Sequence, residues 1–152
     1  MSGIVGAHHT SFTVADLAKS VSFFRDLLHL ELAYTREITD DYFGQIVGFP
    51  SCTVKAALFR IPNSGHHVEL FEYVSPRGEP HRPRPCDPGS SHLALLVDDL
   101  PKLYKELHAQ GVAFVSEPVL LTAGPSRGGY GVYLRDPNGI LIELFQPPSR
   151  AA

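Results

Sequence analysis

The spacing of apolar positions changes along the chain in an order that repeats once. The runs "AHHTSFTV" and "SHLALLV" are strand-like, and the segments they open reach an aspartate, Asp16 or Asp99, suited to cap a helix. After Asp16 the apolar residues Leu17, Val21, Phe24 and Leu28 recur on one helical face, which predicts a helix over about 16–28. Leu100, Leu103 and Leu107 predict a second over about 99–110, with Pro101 tolerated in its first turn and Gly111 as its stop. Three strand-like runs follow each helix, over 30–37, 52–60 and 66–74 and then over about 112–116, 129–135 and 140–146. Between the first two of these lies "TDDYFGQIVGFP", which reads as a polar and aromatic loop. "PNSG" and "DPNG" carry turn chemistry and make the last two strands of each half a hairpin. Each half is then βαβββ, and the chain is of the α+β class.

The repeat extends to identities. Between 9–19 and 92–102 the pairs His9/His92, Val14/Val97, Asp16/Asp99, Leu17/Leu100 and Lys19/Lys102 stand at equal offsets. "RIPNSGHHVELF" and "RDPNGILIELF" align with a one-residue gap, which sets Glu69 on Glu143. Two modules follow, 7–75 and 90–146, joined by an extended connector over 76–89 that is rich in proline.

Composition narrows the function classes. Apolar residues make up 43% and charged residues 19% of the 152, as in ordinary globular chains. The net charge of −3 disfavours a nucleic-acid or anionic-membrane partner. Cys52 and Cys86 lack finger or CxxC spacing and read as free thiols of a reducing compartment. With no secretory pattern at the start and no apolar stretch of spanning length, the expected location is cytoplasmic.

Period-two alternation puts His67, Glu69, Phe71 and Tyr73 on one face of their strand, and Leu141, Glu143 and Phe145 on one face of theirs. The repeat register selects His9 over the adjacent His8. It therefore nominates His9, Glu69, His92 and Glu143. Singly, a strand His is usually structural and a mid-strand Glu usually solvent-facing. As matched pairs, two imidazoles and two carboxylates form a neutral site for one divalent ion, of Mn, Fe, Co, Ni or Zn type, with open coordination positions. His67, Tyr73, Arg127 and Tyr130 are weaker candidates for a substrate pocket. The glycine-rich loop "TAGPSRGGYG" has no nucleotide-binding spacing and reads either as a lid or as a flexible hairpin. Asp40, Asp41 and Tyr42 form a polar group that is a weak candidate for a second acid or base.

Tandem βαβββ modules with an "H-x4-V-x-D-L" opening and a "DPNG-x3-E-L" closing resemble the vicinal oxygen chelate superfamily, over nearly the whole chain. The superfamily includes glyoxalase I, bleomycin and fosfomycin resistance proteins, methylmalonyl-CoA epimerase and extradiol dioxygenases. The resemblance implies one glyoxalase-like domain over 1–152, a U-shaped incomplete barrel around a metal cleft, and usually a homodimer. Its metal positions match His9, Glu69, His92 and Glu143. Extradiol dioxygenases leave the Glu69 position without a ligand, and methylmalonyl-CoA epimerase typically has Gln there. Bacterial glyoxalase I carries Arg and Asn for glutathione where this chain has Thr13 and Tyr73.

The expected activity is metal-assisted proton abstraction next to a carbonyl of a small oxygenated substrate, through a metal-stabilised enediolate. That makes the chain an isomerase, epimerase or lyase, with Glu143 or Glu69 moving the proton. The alternatives are an Fe(II)-dependent dioxygenase and a metal-free small-molecule binding or resistance protein.

Overall fold

A computed structural model describes residues 3–149; Met1, Ser2 and residues 150–152, the ends of the expected 1–152 domain, lie outside the described residues. The chain divides into two compact units, one up to Pro80 and one from His81 onward.

In the first unit β1 (His9–Thr13) leads into α1 (Leu17–Ser22), followed by β2 (Glu31–Ile38), α2 (Asp41–Val47), β3 (Thr53–Arg60) and β4 (His67–Ser75). The sheet order is β1-β4-β3-β2, so first and last strands are neighbours, paired in parallel, while β3 and β4 form the antiparallel hairpin. α1 packs on β3 and β4, where Phe24 meets Phe59 and where Val68 and Leu70 are fully buried. The helix expected over 16–28 is not regular throughout. After Ser22 it widens into a π-turn over Phe23–Leu27, closed by the Leu28 amide donating to the Phe23 carbonyl. Consecutive residues of a regular helix diverge by about 100°; the wider turn accompanies burial of both Phe23 and Phe24.

The segment expected as a loop contains α2, which is a correction. Asp40 occupies its N-cap position, Asp41 its first turn, and Gly48 closes it at φ 74°. A Cβ on Gly44 would come within 2.8 Å of the Phe49 carbonyl oxygen, so the tight exit from this helix requires glycine. Phe43 holds α2 to the sheet by packing edge-on against Phe71, within a cluster that includes Ile38, Cys52, Val54 and Ala56.

The second unit runs β5 (His92–Leu96), α3 (Leu100–Ala109), β6 (Ala113–Phe114), β7 (Val119–Leu120), β8 (Tyr130–Arg135) and β9 (Leu141–Gln146). Its order is β5-β9-β8-β6, again with first and last strands parallel, and β7 pairs with β8. The second strand of this half, expected as a single run over 112–116, is thus the two-residue β6, with the short β7 following it on the same partner strand β8. Buried Asp136 organises the β8–β9 turn by accepting from the Asn138 and Ile140 amides. Two open sheets, each with a helix that carries the chain from the first strand at one edge to the second at the opposite edge, make an α+β fold of the glyoxalase-like type.

Candidate functional site

The backbone register places the His/Glu pairs identically in the two units. Glu69 lies opposite Ser11, two residues beyond His9, and Glu143 lies opposite Ala94, two residues beyond His92. Period-two alternation puts each small residue on the same face as its neighbouring histidine. Ser11 and Ala94 therefore leave the gap across which imidazole and carboxylate meet. His9 Nε2 stands 3.2 Å from Glu69 Oε2, and His92 Nε2 stands 3.1 Å from Glu143 Oε2. The other face turns inward, as buried Val68 and Leu70 on β4, Leu93 and Leu95 on β5, and Ile142 and Leu144 on β9 show.

The donor set fits a divalent ion. Two N or O ligands about 2.1 Å from a metal and at right angles to each other are about 3 Å apart, which is the spacing of each pair. Imidazole nitrogen and carboxylate oxygen suit a borderline first-row ion. Among the described residues, no group of three or more His, Cys, Asp or Glu side chains is gathered to hold an ion. Each unit by itself brings two candidate ligands together.

The surroundings of the pairs differ. In the second unit Tyr133 lies directly across from Glu143, its ring edge-on to His92 at 5.1 Å and its hydroxyl 3.5 Å from His92 Nε2. Burial, with the Glu143 charge second, raises the Tyr133 pKa, so the phenol keeps its proton. The position across from Glu69 is Leu58. Gly131, on the same face as Tyr133, leaves space beside Glu143 Oε1. In the first unit the face carrying Glu69 continues into Phe71 and Tyr73, which α2 and Phe49 cover. Burial first, and Cys52 beside it, raises the Tyr73 pKa.

His67 lies opposite His9 in the strand pair, with its ring on that of His8 at 5.5 Å. Tyr130 is not brought to the pair in its unit: it is out of phase with Tyr133, on the face of Val132 and Leu134. Arg127 is exposed in a turn joining β7 to β8, closed by the Gly128 amide donating to Leu121 and the Gly129 amide to Ser126. The glycine-rich segment is therefore a bonded hairpin connection. Asp41 and Tyr42 are exposed on α2. His66 is half-buried, its Nε2 2.9 Å from the Thr10 hydroxyl. An open cavity of about 720 Å³ in the first unit lies on the helix side of the sheet, lined by Asp16, Leu17, Lys55 and Glu72 among others, and does not include His9 or Glu69.

Sequence reasoning missed two supporting residues. Glu72 Oε2 accepts from the Leu17 amide at 2.8 Å, and Gln146 Oε1 accepts from the Leu100 amide at 2.7 Å. Both stand three positions beyond the repeated glutamates, and each ties the start of a helix to the strand that carries Glu69 or Glu143. The signal was present in the aligned "ELFE" and "ELFQ".

The chain belongs to the Glyoxalase/Bleomycin resistance protein/Dioxygenase superfamily, whose family model matches residues 6–144. It is 35% identical over 153 aligned positions to a 2-epi-5-epi-valiolone epimerase from an Actinomyces species, covering 98% of this chain and 83% of that one. It is 28% identical to the lactoylglutathione lyase of Salmonella typhimurium, over 91% of this chain and 90% of the relative. The crystal structure of a glyoxalase family protein from Bacillus cereus superposes with a TM-score of 0.84 at 21% identity, covering 97% of each chain. No helix among the described residues is long and apolar enough to cross a membrane.

Proposed function

We propose that this protein is a divalent-metal-dependent epimerase or isomerase, with lyase chemistry as its neighbour, acting by proton abstraction next to a carbonyl of a small oxygenated substrate. The observation that carries the reading is the repeated pair: a histidine Nε2 and a glutamate Oε2 at 3.2 and 3.1 Å, in the same register of both units. His9, Glu69, His92 and Glu143 are the proposed ligands of one ion. The name of the 35% identical relative, an epimerase, supports the reaction class.

When bound, the ion supplies Lewis acidity toward the substrate oxygens. Glu143 is the group assigned to move the proton. Its side chain is 26% exposed against 10% for Glu69, and the space beside Gly131 gives its carboxylate room to turn. Glu69, buried between β1 and β3, is suited to hold its place as a ligand. Tyr133, protonated beside Glu143, is suited to donate a hydrogen bond to a substrate oxygen or to the carboxylate. Exposed Leu96, Val119 and Leu120 in the second unit, with Ile46 and Phe49 in the first, support a homodimer, which sedimentation of the purified chain measures.

The test is solvent exchange. Protein reconstituted separately with Mn, Fe, Co, Ni or Zn is incubated in D2O with a panel of small α-hydroxy-ketones, and deuterium at the α-carbon is followed by proton NMR. Exchange that requires an added ion and vanishes in Glu143→Gln is the expected result. Absence of exchange with every reconstituted form, or oxygen consumption in its place, would overturn the reading.

A further inference from the structure

Beside the ligand pair of the first unit stands a third imidazole that neither the repeat nor the proposed chemistry uses. His8 Nδ1 lies 2.7 Å from His9 Nδ1. Two bare nitrogens at that distance would set lone pair against lone pair, and two N–H groups would clash. The pair is satisfied only when one Nδ1 carries a hydrogen and the other accepts it. We propose that His8 is a positioning residue for His9. Through the Nδ1–Nδ1 hydrogen bond it fixes the ring orientation and the tautomer in which His9 Nε2 is offered to a divalent ion. This inference rests on the metal-binding reading above.

The far side of His9 sets the direction of that bond. Glu69 Oε2, 3.2 Å from His9 Nε2, is an acceptor, so without an ion His9 carries its hydrogen on Nε2. Its Nδ1 is then bare, and His8 Nδ1–H donates to it. When Nε2 is given to an ion, the hydrogen of neutral His9 must stand on Nδ1 and donate to His8. His8, an exposed residue, accepts on Nδ1 and carries its own hydrogen on Nε2. The proton count of the two rings is unchanged: the His9 Nε2 proton leaves to solvent, the shared proton crosses from His8 to His9, and His8 takes one from solvent. An imidazole serves both states because it donates or accepts at the same atom. Ligating histidines are commonly oriented by such a partner on the nitrogen that does not bind metal.

The surrounding strands hold His8 in place. Its ring lies against that of His67, with planes inclined by 33°. Its carbonyl accepts from the His67 amide at 3.1 Å and from His67 Nδ1 at 3.3 Å. The second unit has no counterpart. Ser91 stands before His92, and the ring group on that histidine is Tyr133. The device belongs to one half of the repeat, as expected of a functional addition and not of the duplicated scaffold.

Cobalt(II) is the probe, because its absorption reports the ligand field without any substrate. Metal-free wild type, His8→Ala and His8→Asn are titrated with cobalt(II) against a competing chelator, and the melting temperature of each metal-free form is recorded. His8→Ala is expected to bind about 10- to 100-fold more weakly. His8→Asn, whose Oδ1 accepts from His9 Nδ1–H, is expected to regain most of that loss, and all three metal-free forms to melt alike. In ring ¹⁵N spectra of the metal-free wild type, His9 is expected to carry its proton on Nε2. Unchanged affinity in His8→Ala, no rescue by His8→Asn, or a His9 proton on Nδ1 before metal is added would each overturn the positioning role. A wild type that binds no cobalt(II) would instead overturn the metal reading and this inference with it.

Discussion

Glu69 and Glu143 occupy equivalent positions in the repeat, yet their neighbours differ. Glu69 faces Leu58 across the sheet and is buried; Glu143 faces Tyr133, is more exposed, and lies beside Gly131, which carries no side chain against it. Tyr133→Phe removes one hydroxyl and keeps the ring on His92. It is expected to lower kcat by about 100-fold or more while leaving metal content unchanged by elemental analysis. The residue between the partners matters as much as the partners. Ala94 is exposed and lies opposite Glu143, so Ala94→Leu is expected to fill the gap His92 needs and to weaken metal binding at least about tenfold. Its melting temperature should stay near that of wild type. A variant that binds metal normally would show that the carboxylate and imidazole meet by another route. These four ligand candidates were legible in the sequence because duplication wrote each twice. His8 was not, because it has no duplicate, and Tyr133 was blurred among other aromatic residues for the same reason.

At the scale of elements, the strands apart from the run expected over 112–116 were legible from alternation and their hairpins from "PNSG" and "DPNG". α2 was not. It is two turns long, its outward residues Tyr42, Gln45 and Ile46 are exposed, and only Phe43, Gly44 and Val47 turn toward the sheet, too few to draw a helical period. Its caps, Asp40 and Gly48, were the available signal. Because Phe43 is the buried anchor of α2 on Phe71, Phe43→Ala is expected to cost about 3 kcal/mol in urea unfolding. The pairing of helix starts with Glu72 and Gln146 gives a more selective test. Glu72→Gln keeps an acceptor for the Leu17 amide, as Gln146 does for Leu100, and should be nearly neutral, whereas Glu72→Ala should lose about 1 kcal/mol. The β8–β9 turn carries a pH signature. Burial outweighs the hydrogen bonds that Asp136 accepts, and raises its pKa above the ordinary aspartate value. The folded state then holds a proton that the unfolded state has released, so the Asp136 contribution to stability is present below the unfolded pKa and is lost as pH rises through the folded one. Asp136→Asn should remove that dependence. Relative to wild type, its stability should improve between pH 4 and pH 7 in parallel urea titrations.

At the scale of the whole molecule, the duplication leaves each unit with half of the proposed coordination set, one imidazole and one carboxylate. Two ligands make a weak site for a first-row ion; four with zero net charge after binding make a strong one. Stoichiometry and coupling distinguish the two cases. Under the four-ligand reading, one ion is bound per chain, and His9→Ala and His92→Ala each abolish tight binding although they lie in different units. The double variant then loses little more than either single one, because ligands of a shared ion act as a unit. The same dependence extends to folding. An ion held only by the native chain raises its stability by about 2.7 kcal/mol at a hundredfold excess over Kd. Adding metal should therefore raise the wild-type melting temperature and leave both single variants unmoved. Two ions per chain, with additive losses from the two variants, would show that each pair serves its own ion, and would remove the single metal centre on which the proposed epimerase chemistry depends.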